Sequence, residues 1–354
     1  MVKPIKILIV DDSALMRKMI SDLLSTDSAL SVINTAKEGK EALQKIKELK
    51  PDVVTLDLEM PGWDGLFTLS KVMKEVPLPV VMLSAHTRAG AAATVKALEL
   101  GAVDFVSKPS GPISVDIEKI KDELIAKVKV AATVNPLNLR TSEKRSSAQI
   151  VSSPKGRGLS DFSKASPDRV VAIGASTGGT RALSQILPQL PKDLPAGILV
   201  VQHMPPGFTR SLAERLDKQS AIHIKEAEEG DLVEKGKALI APGNFHMKVV
   251  SEEGEERVVL SQDPPRLGVR PSVDVMMNSV AEVCHERVIG VILTGMGHDG
   301  MEGVKKIKGK GGITIAEDSS TCVVFGMPKA AISTGCIDKI VPLPEIAQEI
   351  VKTC

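Results

Sequence analysis

From its first residues the chain alternates short apolar runs, several of them ending on acidic or small polar residues, with longer amphipathic stretches. KILIVDD, LSVINTA, DVVTLDL, PVVMLSA and AVDFVSK read as five strands. LMRKMISDLL, KEALQKIKELK, GLFTLSKVMKEV, AATVKALEL and the stretch around IEKIKDELIAKVKV read as the helices between and after them. A strand–helix repeat of this kind builds a doubly wound parallel sheet with helices on both faces. The first unit closes near Thr133, giving a domain over 1–133. Residues 134–168 lose the hydrophobic periodicity and turn rich in Ser, Lys, Arg, Gly and Pro, which predicts a partly flexible linker. The alternation restarts at Arg169 and defines a second α/β domain over 169–354. Its middle, HIKEAEEGDLVEKGKALIAPGNFHMKVVSEEGEERVVLSQ, is broken by glycines into short apolar pieces and reads as hairpins inserted into the sheet.

Length supports this division, because 354 residues favour two domains over one. Lys+Arg 45 against Asp+Glu 44 leaves a net charge of +1, so no basic stripe argues for a nucleic-acid partner. The absence of tyrosine and the single tryptophan weigh against a base-stacking platform. No apolar run approaches the roughly 20 residues of a membrane span, and Asp11 and Asp12 interrupt the apolar start that a signal peptide would need. Four cysteines without C-x-x-C spacing read as reduced thiols. A cytoplasmic monomer with no direct membrane insertion is expected.

In open parallel sheets, ligand chemistry gathers at the carboxyl ends of the strands. Asp11 and Asp12 end the first strand, Asp57 the third, Ser84 the fourth and Lys108 the fifth. Carboxylates converging there would repel one another unless they shared a divalent cation, and hard oxygen ligands suit Mg²⁺. A lysine and a hydroxyl beside them can hold a transferred phosphoryl group. Each aspartate alone would pass for a helix cap, but the five together form a joint signal. VDDS, LDLEMPGWDG, LSAH and SKP resemble a response-regulator receiver domain across residues 1–125, with a flavodoxin-like fold. The resemblance implies Asp57 as phosphoacceptor, Asp11 and Asp12 with it in the Mg²⁺ site, Ser84 and Lys108 sensing the phosphoryl group, and Phe105 in the place of the family's mobile aromatic.

The second domain opens on GASTGG after the strand RVVAI. A phosphate loop is excluded because GASTGGT lacks its Gly-Lys-Ser/Thr ending. A dinucleotide site fits poorly, because Ser176 stands where the second glycine belongs and the next strand ends in Gln202 and His203 rather than an acid. Ser176 or Thr177 can cap the following helix in any case. Three features raise a nucleophilic role above capping. Residues 174–178 have the G-x-S-x-G form of a tight strand-to-helix turn, His203 ends the next predicted strand, and Asp299 follows the strand VIGVILTG. Serine needs a base, histidine can supply one, and a carboxylate orients the imidazole. The order Ser…His…Asp differs from the Ser…Asp…His of α/β-hydrolases, which rules out that fold. His298 ranks second as base, His246 on its hairpin is as readily structural as cleft-lining, and His86, His223 and His285 read as surface or packing residues. Gly295, Gly297 and Gly300 would let the backbone at Met296 approach a substrate, so its N–H, with that of Thr177, forms a candidate oxyanion hole.

AIGASTGGT, VQHMP, APGNFHM, RPSVDVMMNSVA, ILTGMGHDG and FGMPKAA together resemble the chemotaxis protein-glutamate methylesterase family, the receiver-regulated kind. The resemblance implies a Rossmann-like hydrolase domain that removes methyl groups from glutamate γ-methyl esters of methyl-accepting chemotaxis receptors, releases methanol, and often deamidates receptor glutamines. It implies Ser176 as nucleophile, His203 as base, Asp299 as orienting acid, Met296 as oxyanion donor, a histidine kinase as phosphodonor, and no cofactor for ester hydrolysis. With the tether, it leads to the expectation that the unphosphorylated receiver occludes the cleft. Two other readings stand beside it: a phosphorylation-controlled binding module without hydrolase activity, and a transcriptional regulator, for which no helix-turn-helix or basic output domain is visible.

Overall fold

In the computed structural model, which describes residues 3–85, 87–108, 117–139 and 167–354, the chain separates into two compact units, Met1–Arg140 and Thr141–Cys354. His86, Pro109 of the SKP motif and most of the expected linker lie outside the described residues.

The first unit alternates β1 (Ile5–Val10), α1 (Ala14–Leu24), β2 (Leu30–Ala36), α2 (Gly39–Leu49), β3 (Val53–Asp57), α3 (Gly65–Glu75), β4 (Val80–Ser84), α4 (Arg88–Glu99), β5 (Asp104–Ser107) and α5 (Ile117–Ala131). All neighbouring strands are parallel, in the order β2-β1-β3-β4-β5. This is the flavodoxin-like order, with the topological switch point between β1 and β3. The strands are Val/Ile/Leu runs because both faces are covered by helices; β3 and β4 are buried along their whole length. Three helices start on residues whose short oxygens take an otherwise unpaired N–H: Ser13 for α1, Asp64 for α3 and Thr87 for α4. The packed chain runs past Thr133, since Val134 and Leu139 are buried.

The second unit begins with β6 (Arg169–Ala175), α6 (Gly179–Ile186), β7 (Ala196–Gln202), α7 (Phe208–Gln219), β8 (His223–Glu226) and β9 (Lys237–Ile240). A hairpin of β10 (His246–Glu252) and β11 (Glu255–Ser261) follows. The chain continues through α8 (Val273–Cys284), β12 (Val288–Ile292), α9 (Met301–Gly309), β13 (Ile313–Glu317), α10 (Met327–Ser333), β14 (Lys339–Val341) and α11 (Leu343–Thr353). Its parallel sheet has the order β14-β13-β12-β6-β7-β9-β8, so the strand order reverses between β12 and β6.

The middle segment differs from the expectation of hairpins within the sheet. β8 and β9 are parallel and extend the sheet beyond β7, while β10 and β11 form a separate two-stranded sheet. A parallel pair ordinarily needs a long crossover. Here the loop between β8 and β9 replaces the helix by bonding to the hairpin: Gly230 N–H donates to Val258 O, Val233 N–H to Glu256 O, and Asp231 O accepts Val258 N–H. The hairpin's Met247, Val249 and Val258 share one core with Met276, Met277 and Val280 of α8. Helix α11, which carries no motif, buries Leu343, Ile346, Ala347 and Ile350 at helical spacing. Among the described residues no helix is long and apolar enough to cross a membrane, and the four cysteines are free.

Leu199 in the middle of β7 is fully buried in this core. Leu199→Ala is expected to destabilise the second unit by about 2–5 kcal/mol, the range for a leucine deleted from a packed interior. Urea unfolding of the chain truncated to the second unit, followed by far-ultraviolet circular dichroism, measures it; a shift below about 0.5 kcal/mol would place Leu199 outside the core.

Candidate active site

In the first unit, Val10 pairs with Leu56, so Asp11 and Asp57 leave the sheet edge side by side. Ligand oxygens of Asp11, Asp12 and Asp57 lie within 4.8 Å of one another; Asp11 and Asp57 are buried and Asp12 is exposed. Lys108, one residue beyond β5, reaches Asp11 Oδ2 and Asp57 Oδ1, each at 2.8 Å. Burial makes ionising Asp57 costly and holds its carboxyl above the usual range, although Lys108 opposes the shift. Burial also acts against the Lys108 cation, but its two carboxylate partners outweigh it and hold the ammonium above its ordinary value.

Ser84 reaches this edge fully buried, and its hydroxyl accepts a 2.7 Å hydrogen bond from Thr94 of α4. The Phe105 ring is buried, with the Lys127 ammonium 5.1 Å from its centre. Asp11, Asp12, Asp57 and Lys108 therefore form one cluster, while the Ser84 hydroxyl bonds Thr94 of α4 and the Phe105 ring lies against Lys127 of α5.

In the second unit, the sheet register does the assembly. Ala175 pairs with Gln202, and His203 N–H donates to Ala175 O at 3.1 Å, so Ser176 and His203 leave adjacent strands together. His203 Nε2 lies 2.9 Å from Asp299 Oδ2. The Gln202 side chain donates to Ser176 O at 3.0 Å and to His203 O at 3.3 Å, tying the two strand ends. The turn after Ser176 needs a left-handed residue, supplied by Gly178 at φ 82°.

Asp299 is the most heavily bonded group at this edge. Its Oδ1 accepts the Ser272 hydroxyl (2.9 Å), Asp274 N–H (3.0 Å) and Gly300 N–H (3.1 Å), and its Oδ2 accepts Val273 N–H (2.7 Å) beside His203. Burial alone would raise its pKa, but the His203 contact and the amides at the start of α8 prevail and hold it below the usual carboxylate range. Asp274, in the first turn of α8, accepts Gly300 N–H (3.0 Å) and Gly303 N–H (2.8 Å) at the start of α9. Its carboxyl is held above the usual range by burial first and by neighbouring Asp299.

The Gly295–Met296 segment lies against the serine, since a Cβ added to Gly295 would stand 2.8 Å from Ser176 Cβ. That close approach requires glycine. Met296 exposes its side chain and Thr177 is buried, both beside Ser176 in the chain or in space. His298 is exposed on the loop before α9. His246 is buried against Pro264 O at 3.2 Å, with its pKa pulled down mainly by burial, and hydrogen-bonds neither His203 nor Asp299. His223 pairs with Asp217 at 3.0 Å, and His285 is exposed.

Gln202, Ser272, Asp274, Thr294 and Glu317 belong to this edge and were not among the expected site residues. Glu317 was legible in principle, since it ends a strand at the same edge; Thr294 had no signal beyond its place in ILTG.

Fold and edges together define the class: a two-unit α/β protein with an Asp/Lys cluster on one parallel sheet and a Ser/His/Asp cluster on the other. Residues 171–350 match the CheB methylesterase family and residues 7–117 the response regulator receiver domain. A protein-glutamate methylesterase/protein-glutamine glutaminase of Symbiobacterium thermophilum is 51% identical over 99% of this chain and 97% of its own. One of Pyrococcus horikoshii is 50% identical over 99% and 94%. The crystal structure of the Thermotoga maritima CheB methylesterase catalytic domain superposes with a TM-score of 0.53 at 47% identity, covering 54% of this chain and all of that one. The chain belongs to the CheB methylesterase family, with a receiver domain ahead of the catalytic domain.

Glu317 is fully buried and its carboxyl is pushed up to about 7, chiefly by desolvation. A carboxyl raised on folding contributes stability that is complete below about pH 4.5 and lost as pH rises through about 7. Glu317→Gln removes that loss, so its stability relative to wild type should rise by about 3 kcal/mol between pH 4.5 and pH 8. Urea unfolding of both proteins across this window measures the difference, and parallel curves would refute it.

Proposed function

We propose that the second unit is a serine hydrolase for glutamate γ-methyl esters and glutamines on protein side chains, carried by Ser176, His203 and Asp299. The chemotaxis-receptor substrates follow from the family. The observation that carries the reading is the 2.9 Å contact of His203 Nε2 with Asp299, made where Ser176 and His203 leave paired strands. With Nε2 committed to Asp299, Nδ1 is the ring nitrogen left for the serine proton.

Ser176 Oγ attacks the ester carbonyl carbon as His203 takes its proton. The oxyanion is received by the backbone N–H groups of Met296 and Thr177, which are most useful where charge develops in the transition state. Collapse re-forms the carbonyl and breaks the bond from its carbon to the methoxy oxygen, and His203 returns the proton to the departing methoxide, giving methanol and an acyl-serine. Water, deprotonated in turn by His203, then releases the glutamate side chain and restores Ser176. With a glutamine substrate the leaving group is ammonia. Asp299 holds the imidazole orientation and stabilises the imidazolium; its saturated bonding keeps it ionised throughout.

The first unit is read as the switch. Asp57 accepts a phosphoryl group from a histidine kinase, and Asp11, Asp12 and Asp57 would hold Mg²⁺. Two buried carboxylates facing one lysine leave negative charge that a divalent cation with oxygen preference suits. Mg²⁺ would neutralise charge on the transferring phosphoryl oxygens. Lys108 then pairs with the phosphoryl group, and Ser84 senses it by exchanging its bond with Thr94; Phe105 is the aromatic whose packing would respond. Phosphorylation of Asp57 raises the hydrolytic rate of the second unit.

Ser176→Ala is expected to lower demethylation of methylated receptor by at least about 10⁴-fold while Asp57 still takes up phosphate from acetyl phosphate. Turnover at the wild-type rate in that variant sinks the nucleophile assignment. Asp57→Asn is expected to show no rise in rate when acetyl phosphate and Mg²⁺ are added, and a rise equal to wild type would move the switch elsewhere.

A further inference from the structure

Glu317 has no part in the chemistry assigned to Ser176, His203 and Asp299, yet its bonds lead to that chemistry. It ends β13, and its Oε2 accepts the N–H of Thr294 at 2.8 Å while Oε1 accepts the Thr321 hydroxyl at 3.0 Å. Thr294 lies just past β12, almost completely buried, and serves as a junction. Its carbonyl accepts Ser176 N–H at 3.1 Å, and its hydroxyl donates to Thr177 O at 3.0 Å and accepts Val324 N–H at 2.9 Å. The following residue is held as closely: Gly295 N–H donates to Val324 O, and its carbonyl accepts the N–H groups of Gly326 and Met327. A single buried acceptor thus supports the peptide between two segments, Ser176–Thr177 on one side and Gly295–Met296 on the other.

We propose that Glu317 is a positioning residue for the hydrolysis: by accepting the Thr294 N–H, it sets the spacing between the serine turn and the Met296 segment. The inference rests on the triad reading above. The nucleophile and both N–H groups assigned to the oxyanion sit on the two segments that Thr294 joins. Geometry of this kind acts on the transition state, where the oxyanion forms, more than on substrate binding, so its loss falls on kcat. The role needs an acceptor rather than a charge, because Oε2 can accept an N–H whether or not the carboxyl carries its proton. Glutamine offers the same acceptor, whereas methionine fills the space and leaves a buried N–H without a partner.

The test uses the full chain with methylated receptor and four variants: Glu317→Met, Glu317→Gln, Thr294→Val and Ser176→Ala. Glu317→Met and Thr294→Val are expected to lose about 10- to 100-fold in kcat with KM within about twofold, and Glu317→Gln to keep most of the kcat. Wild-type kcat in Glu317→Met, or an equal loss in Glu317→Gln, overturns the positioning role; so does a loss confined to KM. Should Glu317→Met fail to fold, Glu317→Leu removes the same acceptor with less bulk, and wild-type kcat there overturns the positioning role. Thr294→Val keeps the N–H that Glu317 accepts and tests the other arm, since it removes the hydroxyl bonded to Thr177 O and Val324 N–H, and wild-type kcat there overturns the coupling through Thr294. An active Ser176→Ala would instead overturn the triad reading, so the two failures are read apart.

Discussion

The carboxylate of Asp299 occupies the place where the catalytic unit can least tolerate a loose group. It enters from the loop before α9 and receives the first amides of α8, the Ser272 hydroxyl, its neighbour Gly300 and the imidazole of His203. A buried charge is costly unless its lone pairs are met, and these donors meet them with groups that the helix start leaves unpaired. The exchange is reciprocal. Asp274 of α8 takes the amides at the start of α9, so each helix is capped by an acid from the other's entry. The arrangement that makes a buried anion tolerable also locks two helices, a sheet edge and an imidazole into one register.

The receiver edge shows the opposite treatment of the same residue type. Asp57 is equally buried, but it is held by Lys108 and a 3.3 Å contact from Glu59 N–H. Asp299 is held below its ordinary pKa and Asp57 above it. An anion saturated with fixed donors is an orienting group, since nothing is gained by moving it. One balanced against a lysine and another carboxylate can exchange partners when a phosphoryl group or cation arrives. Asp57 and Asp299 are the same residue type at equivalent sheet edges, and they differ in how they are solvated.

Much of this was legible in the chain. Strand–helix alternation placed both sheets, and the rule that chemistry gathers at strand carboxyl ends selected Asp11, Asp57, Lys108, Ser176, His203 and Asp299 for one edge or the other. Within the hairpin segment β10 and β11 do form a hairpin, whereas β8 and β9 do not, being four-residue strands separated by glycine-punctuated polar chain. That local pattern is shared by a hairpin; only the long-range bonds of Gly230 and Val233 to β11 make the pair parallel. Ser272, Asp274 and Thr294 escaped for a related reason. Their side chains reach partners far away in the chain, Ser272 the Asp299 carboxylate, Asp274 the amides of Gly300 and Gly303, and Thr294 the carbonyl of Thr177, so local spacing holds no trace of the pairing. His246 could not be assigned from its motif, since burial in β10 decides its character.

The order of the three catalytic candidates follows from topology. A doubly wound sheet has one reversal, here between β12 and β6, and the crevice there is open to strand ends on both sides. The first strand after the reversal carries Ser176, its next neighbour His203, and the strand across the reversal, reached only after the hairpin and α8, carries Asp299. Ser…His…Asp is therefore the order in which this winding visits its own crevice. The G-x-S-x-G turn tells only that a serine can be presented between strand and helix. What separates this sheet from other hydrolases with the same turn is where the chain goes next, and the long excursion before Asp299 is also what delivers the α8 amides that hold it.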